Sequence, residues 1–179
     1  MSTIKDAIKY RIRLADVQDA VAIATLGKQT FIETFGEQNT AEDIEMYVSS
    51  QFTTEVISSE ISDPTNCFFL ILDVDNNIMG YAKMRKTDAT KYGISKNAIE
   101  LQRIYILREH HGKRAGAILM QACLDQARHD GFQVIWLGVW EHNTKALAFY
   151  KKLGFEEFGS HNFQLGSDVQ TDLLMKKKL

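Results

Sequence analysis

Between Cys67 and Val74 the sequence reads CFFLILDV, apolar except for Asp73. Successive side chains of a strand point to opposite sides, so a strand built from this run has no polar face to turn to water. It must be covered on both sides, which calls for a sheet inside a layered fold. The DNN turn follows, with Asn76-Asn77 at its tip, and IMGYAKMRK returns as the second arm of a hairpin.

The other segments can be placed around that hairpin. Residues 1–9 read as a loose start and Tyr10–Leu14 as a short strand. Asp16 can cap a helix whose face carries Val17, Ala20, Val21, Ala24 and Leu26, and Gly36 interrupts it. Thr40 opens TAEDIEMYV, with Asp43 in the usual Glu place of a capping box. A short helix is expected over Thr54–Ser59, and Asp63-Pro64 marks a break. Residues 87–98 are a polar loop. IELQRIYIL is a strand with Leu101, Arg103 and Tyr105 on one face and Gln102, Ile104 and Ile106 on the other. A helix then starts near Arg114, with Ala115, Ile118, Leu119, Ala122, Cys123 and Ala127 at helical spacing and Gly131 as its stop. QVIWLGV is a strand, and NTKALAFYKKLG is a helix capped by Asn143 and ended by Gly154. Phe155–Phe163 and Thr171–Met175 are two further strands. Strand–helix–strand units after a hairpin predict one domain over residues 1–179, a mixed sheet with helices on both faces.

Composition narrows the function. Ten Phe, six Tyr and two Trp in 179 residues argue for a real core rather than a disordered chain. A net charge of −2 does not suggest a nucleic-acid partner. The tight lysine run, Lys176–Lys178, reads as a solvated tail. Cys67 and Cys123 stand apart in apolar stretches and read as buried free thiols, with neither metal spacing nor a disulfide framework. No signal peptide or membrane-spanning run is seen, so a cytoplasmic setting is expected.

The segment that suggests chemistry is strand, then HHGKRAG, then helix. Gly112 and Gly116 allow close backbone approach. The free N–H groups of a helix start form an anion site suited to a pyrophosphate, and Lys113 and Arg114 add positive charge. A purely structural glycine loop fits the same residues. Neither a nucleotide P-loop nor a dinucleotide fingerprint is present. The five histidines do not converge in spacing, so no metal site is expected. Tyr105 and Trp140 suit a core; His161 suits either a core or an acceptor pocket.

From Ile99 to Gly154 the chain resembles the Gcn5-related N-acetyltransferase superfamily. HGKRAG is similar to that superfamily's pyrophosphate loop, Gln/Arg-x-x-Gly-x-Gly/Ala, with His111 at the first position, Gly116 at the last and Arg114 where the central Gly is usual. Asn143, Ala146, Phe149, Tyr150, Gly154 and Phe155 match its second motif, a strand, an Asn, a helix with Ala-x-x-Phe-Tyr, and Gly-Phe. The tail from Ile135, and FIETFGEQNT near the front, resemble the PaiA-type bacterial spermidine/spermine acetyltransferases. The resemblance implies an α+β fold, a mixed, mostly antiparallel seven-stranded sheet flanked by helices, that transfers acetyl from acetyl-coenzyme A to an amine. On that reading Ile104, Tyr105 and Ile106 hold the pantetheine arm by their backbone. His111, Gly112, Lys113, Arg114, Ala115 and Gly116 hold the pyrophosphate. Asn143, Lys145 and Phe149 flank the cofactor, and Tyr150 protonates the departing sulfur. Glu33, set among aromatic residues, Glu100 or an ordered water relay is the base. The acceptor is a small polyamine, met by Glu33, Glu37, Glu42, Asp43 and Glu45, and a homodimer is compatible with an exposed strand edge. Another amine as acceptor, or a non-catalytic acetyl-coenzyme A sensor, are the competing readings.

Overall fold

The apolar run after Pro64 forms a strand, Asn66–Leu72, whose Phe68, Leu70 and Leu72 enter one core while Phe69 and Ile71 enter another. The computed structural model describes residues 10–179, and the loose start expected at residues 1–9 lies outside the described residues. In chain order the strands are β1 (Arg11–Leu14), β2 (Asn66–Leu72), β3 (Ile78–Arg85), β4 (Ala98–Ile106), β5 (Val134–Trp140), β6 (Glu156–Leu165) and β7 (Asp168–Lys178). The helices are α1 (Ala20–Phe35), α2 (Ala41–Gln51), α3 (Thr54–Ser62), α4 (Ala115–His129) and α5 (Thr144–Lys152). Among the described residues the strands make one seven-stranded sheet, ordered β1-β2-β3-β4-β5-β7-β6. β4 and β5 are parallel and the other neighbours antiparallel, as expected for a mixed, mostly antiparallel sheet.

Two layers cover it. Ile23, Phe31, Ile44, Val48 and Ile57 of α1, α2 and α3 close one face over Phe68, Leu70 and Tyr81. Leu119, Met120, Cys123 and Ala127 of α4, with Tyr150 of α5, close the other over Phe69, Ile71, Met84 and Leu137. Burying each such large side chain stabilises the fold by about 1.5–3 kcal/mol. Cys123 is fully buried in this second layer, and burial holds the Cys67 thiol up at about 11, so both thiols are inert.

Local signals set the helix ends. Asp16 accepts from Gln18 N–H and caps a single tight turn, Val17–Asp19, that leads into α1. Thr40 accepts from Asp43 N–H at the start of α2. The expected capping box is altered there. Asp43 accepts from the Thr40 hydroxyl and from both N–H and hydroxyl of Ser167, which ties α2 to the β6–β7 turn. Asn143 accepts from Ala146 N–H and caps α5, while Gly131 and Gly154 leave α4 and α5 in the left-handed region.

Two expectations are corrected. The β3–β4 register shifts between Lys83, opposite Arg103, and Met84, opposite Leu101, so Gln102 is a bulge. One extra residue inverts the alternation. Leu101 therefore lies on the α4 side with Ile104 and Ile106, while Arg103 and Tyr105 face α1–α3. The lysine run is not a tail: Lys176–Lys178 belong to β7 and pair with Val134–Trp136 of β5. β5 needs a second ladder on that side, and these residues complete it.

Candidate active site

β4 and β5 pair over Ala98–Glu100 and Val134–Trp136 and then separate. Beyond Trp136, β5 keeps its antiparallel ladder with β7, and β4 keeps its ladder with β3 out to Ile106. The result is a splay in the middle of the sheet. Leu107 N–H donates to Met79 of β3 at 2.9 Å. Alternation then places the backbone groups of Tyr105 toward β3 and those of Ile104 and Ile106 toward the splay. Of the three backbone positions expected to hold an extended ligand, Ile104 and Ile106 face it and Tyr105 does not. The bulge residue Gln102 stands just past the last β4–β5 pair, with its Oε1 buried and without a protein partner among the described residues.

At the far end of β4 the chain turns through Arg108–His110 into the loop His111–Arg114 and α4. His111 Nε2 donates to the Ile106 carbonyl at 2.7 Å, which pins the loop to the mouth of the splay. Gly112 and Arg114 both have positive φ, 74° and 65°. Arg114, at the position where the resembling motif has glycine, takes the left-handed conformation that glycine serves. The loop path is therefore kept, at a local cost of about 1–2 kcal/mol. Ile118 N–H closes the first helical bond onto Arg114, leaving the amides of Ala115, Gly116 and Ala117 pointing out of the helix start. Arg114→Gly is expected to raise stability by up to about 1 kcal/mol, the relief being partly offset by unfolded-state freedom. Arg114→Val should lower it. Thermal melts of the two variants check the pair, and equal shifts would discount the strain.

Gly116 joins loop, strand and second helix. A methyl at its Cβ position would stand 3.7 Å from Phe149 Cζ and 3.8 Å from Ile106 Cγ1. Phe149 and Tyr150 lie on the inner side of α5, with Tyr150 buried between Phe149 (5.4 Å) and Phe155 (5.7 Å). Burial pushes the Tyr150 hydroxyl pKa up, and it takes no hydrogen-bond partner among the described residues. Lys145 is exposed on the first turn of α5, near the Asn143 cap.

The two carboxylates considered as bases are both engaged by protein groups. Glu33 Oε2 accepts from Arg108 N–H at 3.0 Å and its Oε1 from Gln29 at 3.0 Å, joining α1 to the end of β4. Glu100 sits where β4 is still paired on both sides, and it holds Arg85 at 2.6 Å. This ion pair stands at the last β4–β5 pair, where the splay begins. The acidic front segment is not a single patch either: Asp43 is engaged at Ser167, while Glu42 and Glu45 face solvent.

On the opposite face of the sheet the splay opens between α1–α2 and the β6–β7 hairpin. Gly138 is exposed although Leu137, Val139, Trp136 and Trp140 around it in β5 are buried. An exposed residue in an interior strand is the floor of a cleft. Phe35 leans on Trp140 at 5.8 Å and Tyr47 on Phe163 at 5.5 Å, forming one wall. Tyr92, from the loop before β4, stands on Trp136 at 5.4 Å and forms the other. Sequence reasoning took Trp140 as a core aromatic and left His161 open between a core and an acceptor pocket; Gly138, Tyr92 and Asp172 went unnoticed, since they meet through cross-strand pairing rather than spacing.

A sheet splayed at its centre, with outward amides at a helix start on one face and an open cleft on the other, leaves room for an extended ligand and a second molecule to meet through the sheet, as a two-substrate transferase needs. The chain belongs to the acetyltransferase (GNAT) family, whose sequence model matches residues 28–155. It is 35% identical over 92% of its length to an uncharacterized N-acetyltransferase in the pepI 3' region of Lactobacillus delbrueckii subsp. lactis, covering 92% of that protein. It is 30% identical over 90% of its length to the uncharacterized N-acetyltransferase Rv2669 of Mycobacterium tuberculosis, covering 98% of it. Its fold matches the PaiA N-acetyltransferase of Thermoplasma acidophilum, solved in complex with coenzyme A, with a TM-score of 0.77 at 21% identity, over 95% of this chain and 99% of that one. The chain is thus an acetyl-coenzyme A-dependent N-acetyltransferase, and no described helix is long and apolar enough to cross a membrane. The residues present fit that cofactor: outward amides and basic side chains at the α4 start suit a pyrophosphate, and the splay-facing backbone of Ile104 and Ile106 suits an extended amide-bearing arm.

Proposed function

We propose that this enzyme acetylates a primary amine of a small polyamine of the spermidine class, by direct transfer with both substrates bound. The observation that carries direct transfer is the cleft floored by Gly138, which opens beside the point where β4 and β5 part, on the face opposite α4 and α5. The polyamine class is supported by a spermidine N(1)-acetyltransferase of Thermoplasma acidophilum, 22% identical over 83% of this chain. Glu37, exposed at the α1 end near Arg108, adds acidic character at the cleft rim.

Acetyl-coenzyme A supplies a thioester carbonyl activated toward nitrogen. The amides of Gly112–Gly116, with Lys113 and Arg114, hold the pyrophosphate, and His111 keeps that loop against β4. Asn143 sets the start of α5, Lys145 offers a cation there, and Phe149 packs the arm's channel beside Gly116. Ile104 and Ile106 align the arm by their backbone, which fixes the carbonyl for attack. The acceptor ammonium loses a proton, the nitrogen bonds to the carbonyl carbon, and the C–S bond breaks. Tyr150 holds a proton for the sulfur and regains one from the new amide nitrogen, so one proton is released per turnover. With Glu33 engaged by Arg108 and Glu100 by Arg85, water in the cleft takes the ammonium proton.

A panel of spermidine, spermine, simple monoamines, amino acids and a peptide N-terminus, each with acetyl-coenzyme A and thiol release as readout, tests the reading. Spermidine or spermine should exceed monoamines in kcat/KM by at least about tenfold, the worth of one further charge-assisted bond to a distal ammonium. A polyamine rate no higher than the monoamine rate rejects it.

A further inference from the structure

Asp172 and His161 stand side by side at the bottom of the cleft. Trp140 of β5, Asp172 of β7 and His161 of β6 are direct cross-strand partners, so their side chains share one face. A methyl at the Gly138 Cβ position would lie 3.3 Å from Asp172 Oδ2 and 3.3 Å from His161 Nε2. Glycine here therefore leaves a niche of atomic size, bounded by the carboxylate and the imidazole. His161 Nδ1 and the Tyr92 hydroxyl share a hydrogen bond of 3.1 Å, which fixes the ring. His161 Nε2 is 3.6 Å from Asp172 Oδ2, longer than a normal hydrogen bond. Asp172 is a nearly buried carboxylate, 15% exposed. Burial pushes its pKa up, and the neighbouring imidazole draws it back only in part. Such a group gains most from an ammonium that arrives with its own charge and N–H donors.

We infer that Asp172, buttressed by His161 and Tyr92 above the Gly138 niche, is the subsite that receives the primary ammonium of the acceptor. The location suits the chemistry. Gly138 lies two residues past Trp136, where β5 leaves β4, so a nitrogen in the niche sits beside the splay into which Ile104 and Ile106 present their backbone. The inference rests on the acceptor being an amine, and it adds the residue that selects for the cation.

The test uses Asp172→Asn, which keeps shape and removes charge, and Gly138→Ala, which keeps every charge and fills the niche. Acceptor KM, acetyl-coenzyme A KM, kcat and Tm are measured with the fastest amine of the panel. Both variants should raise acceptor KM by about 10- to 100-fold, with acetyl-coenzyme A KM within about twofold and Tm nearly unchanged. Unchanged acceptor KM in Asp172→Asn overturns the subsite, as does a rise in both KM values with a lowered Tm. Should Asp172→Asn not fold, Gly138→Ala decides alone by the same pattern. If the fastest amine is not a polyamine, the polyamine reading falls while the subsite is still judged on that amine. If spermidine is the fastest and neither variant shifts its KM, the subsite falls and the polyamine reading stands. If the wild type acetylates no amine, both fall.

Discussion

Tyr150→Phe is expected to lower kcat by about 100- to 10,000-fold, the usual worth of a positioned general acid, with little change in acetyl-coenzyme A KM or Tm. Tyr150 lies on the inner face of α5, packed between Phe149 and Phe155, and its hydroxyl takes no protein partner among the described residues. Burial raises its pKa, so the hydroxyl holds its proton at neutral pH, as the proposed transfer to sulfur requires. Phenylalanine retains the ring, and with it the two aromatic contacts and the burial; it removes the hydroxyl alone. A hydroxyl that served packing would leave kcat where it was, since no hydrogen bond is lost. The measurement is kcat under conditions where a solvent isotope effect shows the chemical step to be limiting. Unchanged kcat there would remove Tyr150 from the mechanism and leave it as core.

Glu60→Gln should destabilise the protein by about 3 kcal/mol and lower Tm by roughly 6–12 °C. Glu60 of α3 holds Lys83 at 2.8 Å and Arg103 at 2.7 Å, and those cations are only 3% and 5% exposed. Removing the shared carboxylate leaves two buried cations facing each other. The low end of the range for a broken buried pair applies because Glu60 itself is 20% exposed. Lys83 also carries a pH signature. Burial, then repulsion from Arg103, lowers its pKa from the ordinary 10.5 to about 8, with Glu60 working against the shift. Between about 8 and 10.5 the unfolded chain binds this proton and the folded chain does not, so this group makes stability rise with pH across that window. In Glu60→Gln the rise should begin at lower pH, because the carboxylate that favours the charged lysine is gone. Urea unfolding from pH 6 to 10 reads both effects. A melting temperature within 2 °C of wild type, in the absence of any such pH change, would contradict the buried-network account.

Much of the fold is legible in short windows. The all-apolar β2, the Asn76 turn, the caps at Asp16, Thr40 and Asn143, and the stops at Gly131 and Gly154 each depend on residues within a few positions of one another, where backbone stereochemistry and periodicity act directly. The runs proposed for the cofactor are legible for the same reason: His111–Gly116 and Asn143–Tyr150 are contiguous, so their residue types and spacing can be read directly from the sequence. Arg114 shows the limit. Its replacement of a usual glycine left the loop geometry open, and only the folded chain has it at a φ of 65°.

Tertiary structure decided whatever depends on which backbone groups find partners across the sheet. The Gln102 bulge turned Leu101 away from Arg103 and Tyr105, because a register shift appears only once β3 lies alongside. Lys176–Lys178 became strand because β5 had a free edge there. The bond from Arg108 N–H to Glu33 and the pairing of Arg85 with Glu100 join residues distant in sequence, so these partners of the two carboxylates appear only in the fold. Asp172, His161, Tyr92 and Gly138 come from two neighbouring strands, a distant loop and an interior strand. Sequence alone thus determined the local conformations and the contiguous runs proposed to hold the cofactor. The cleft floored by Gly138 was decided by long-range pairing, since hydrogen-bond registry between strands, rather than spacing along the chain, sets which side chains share a face.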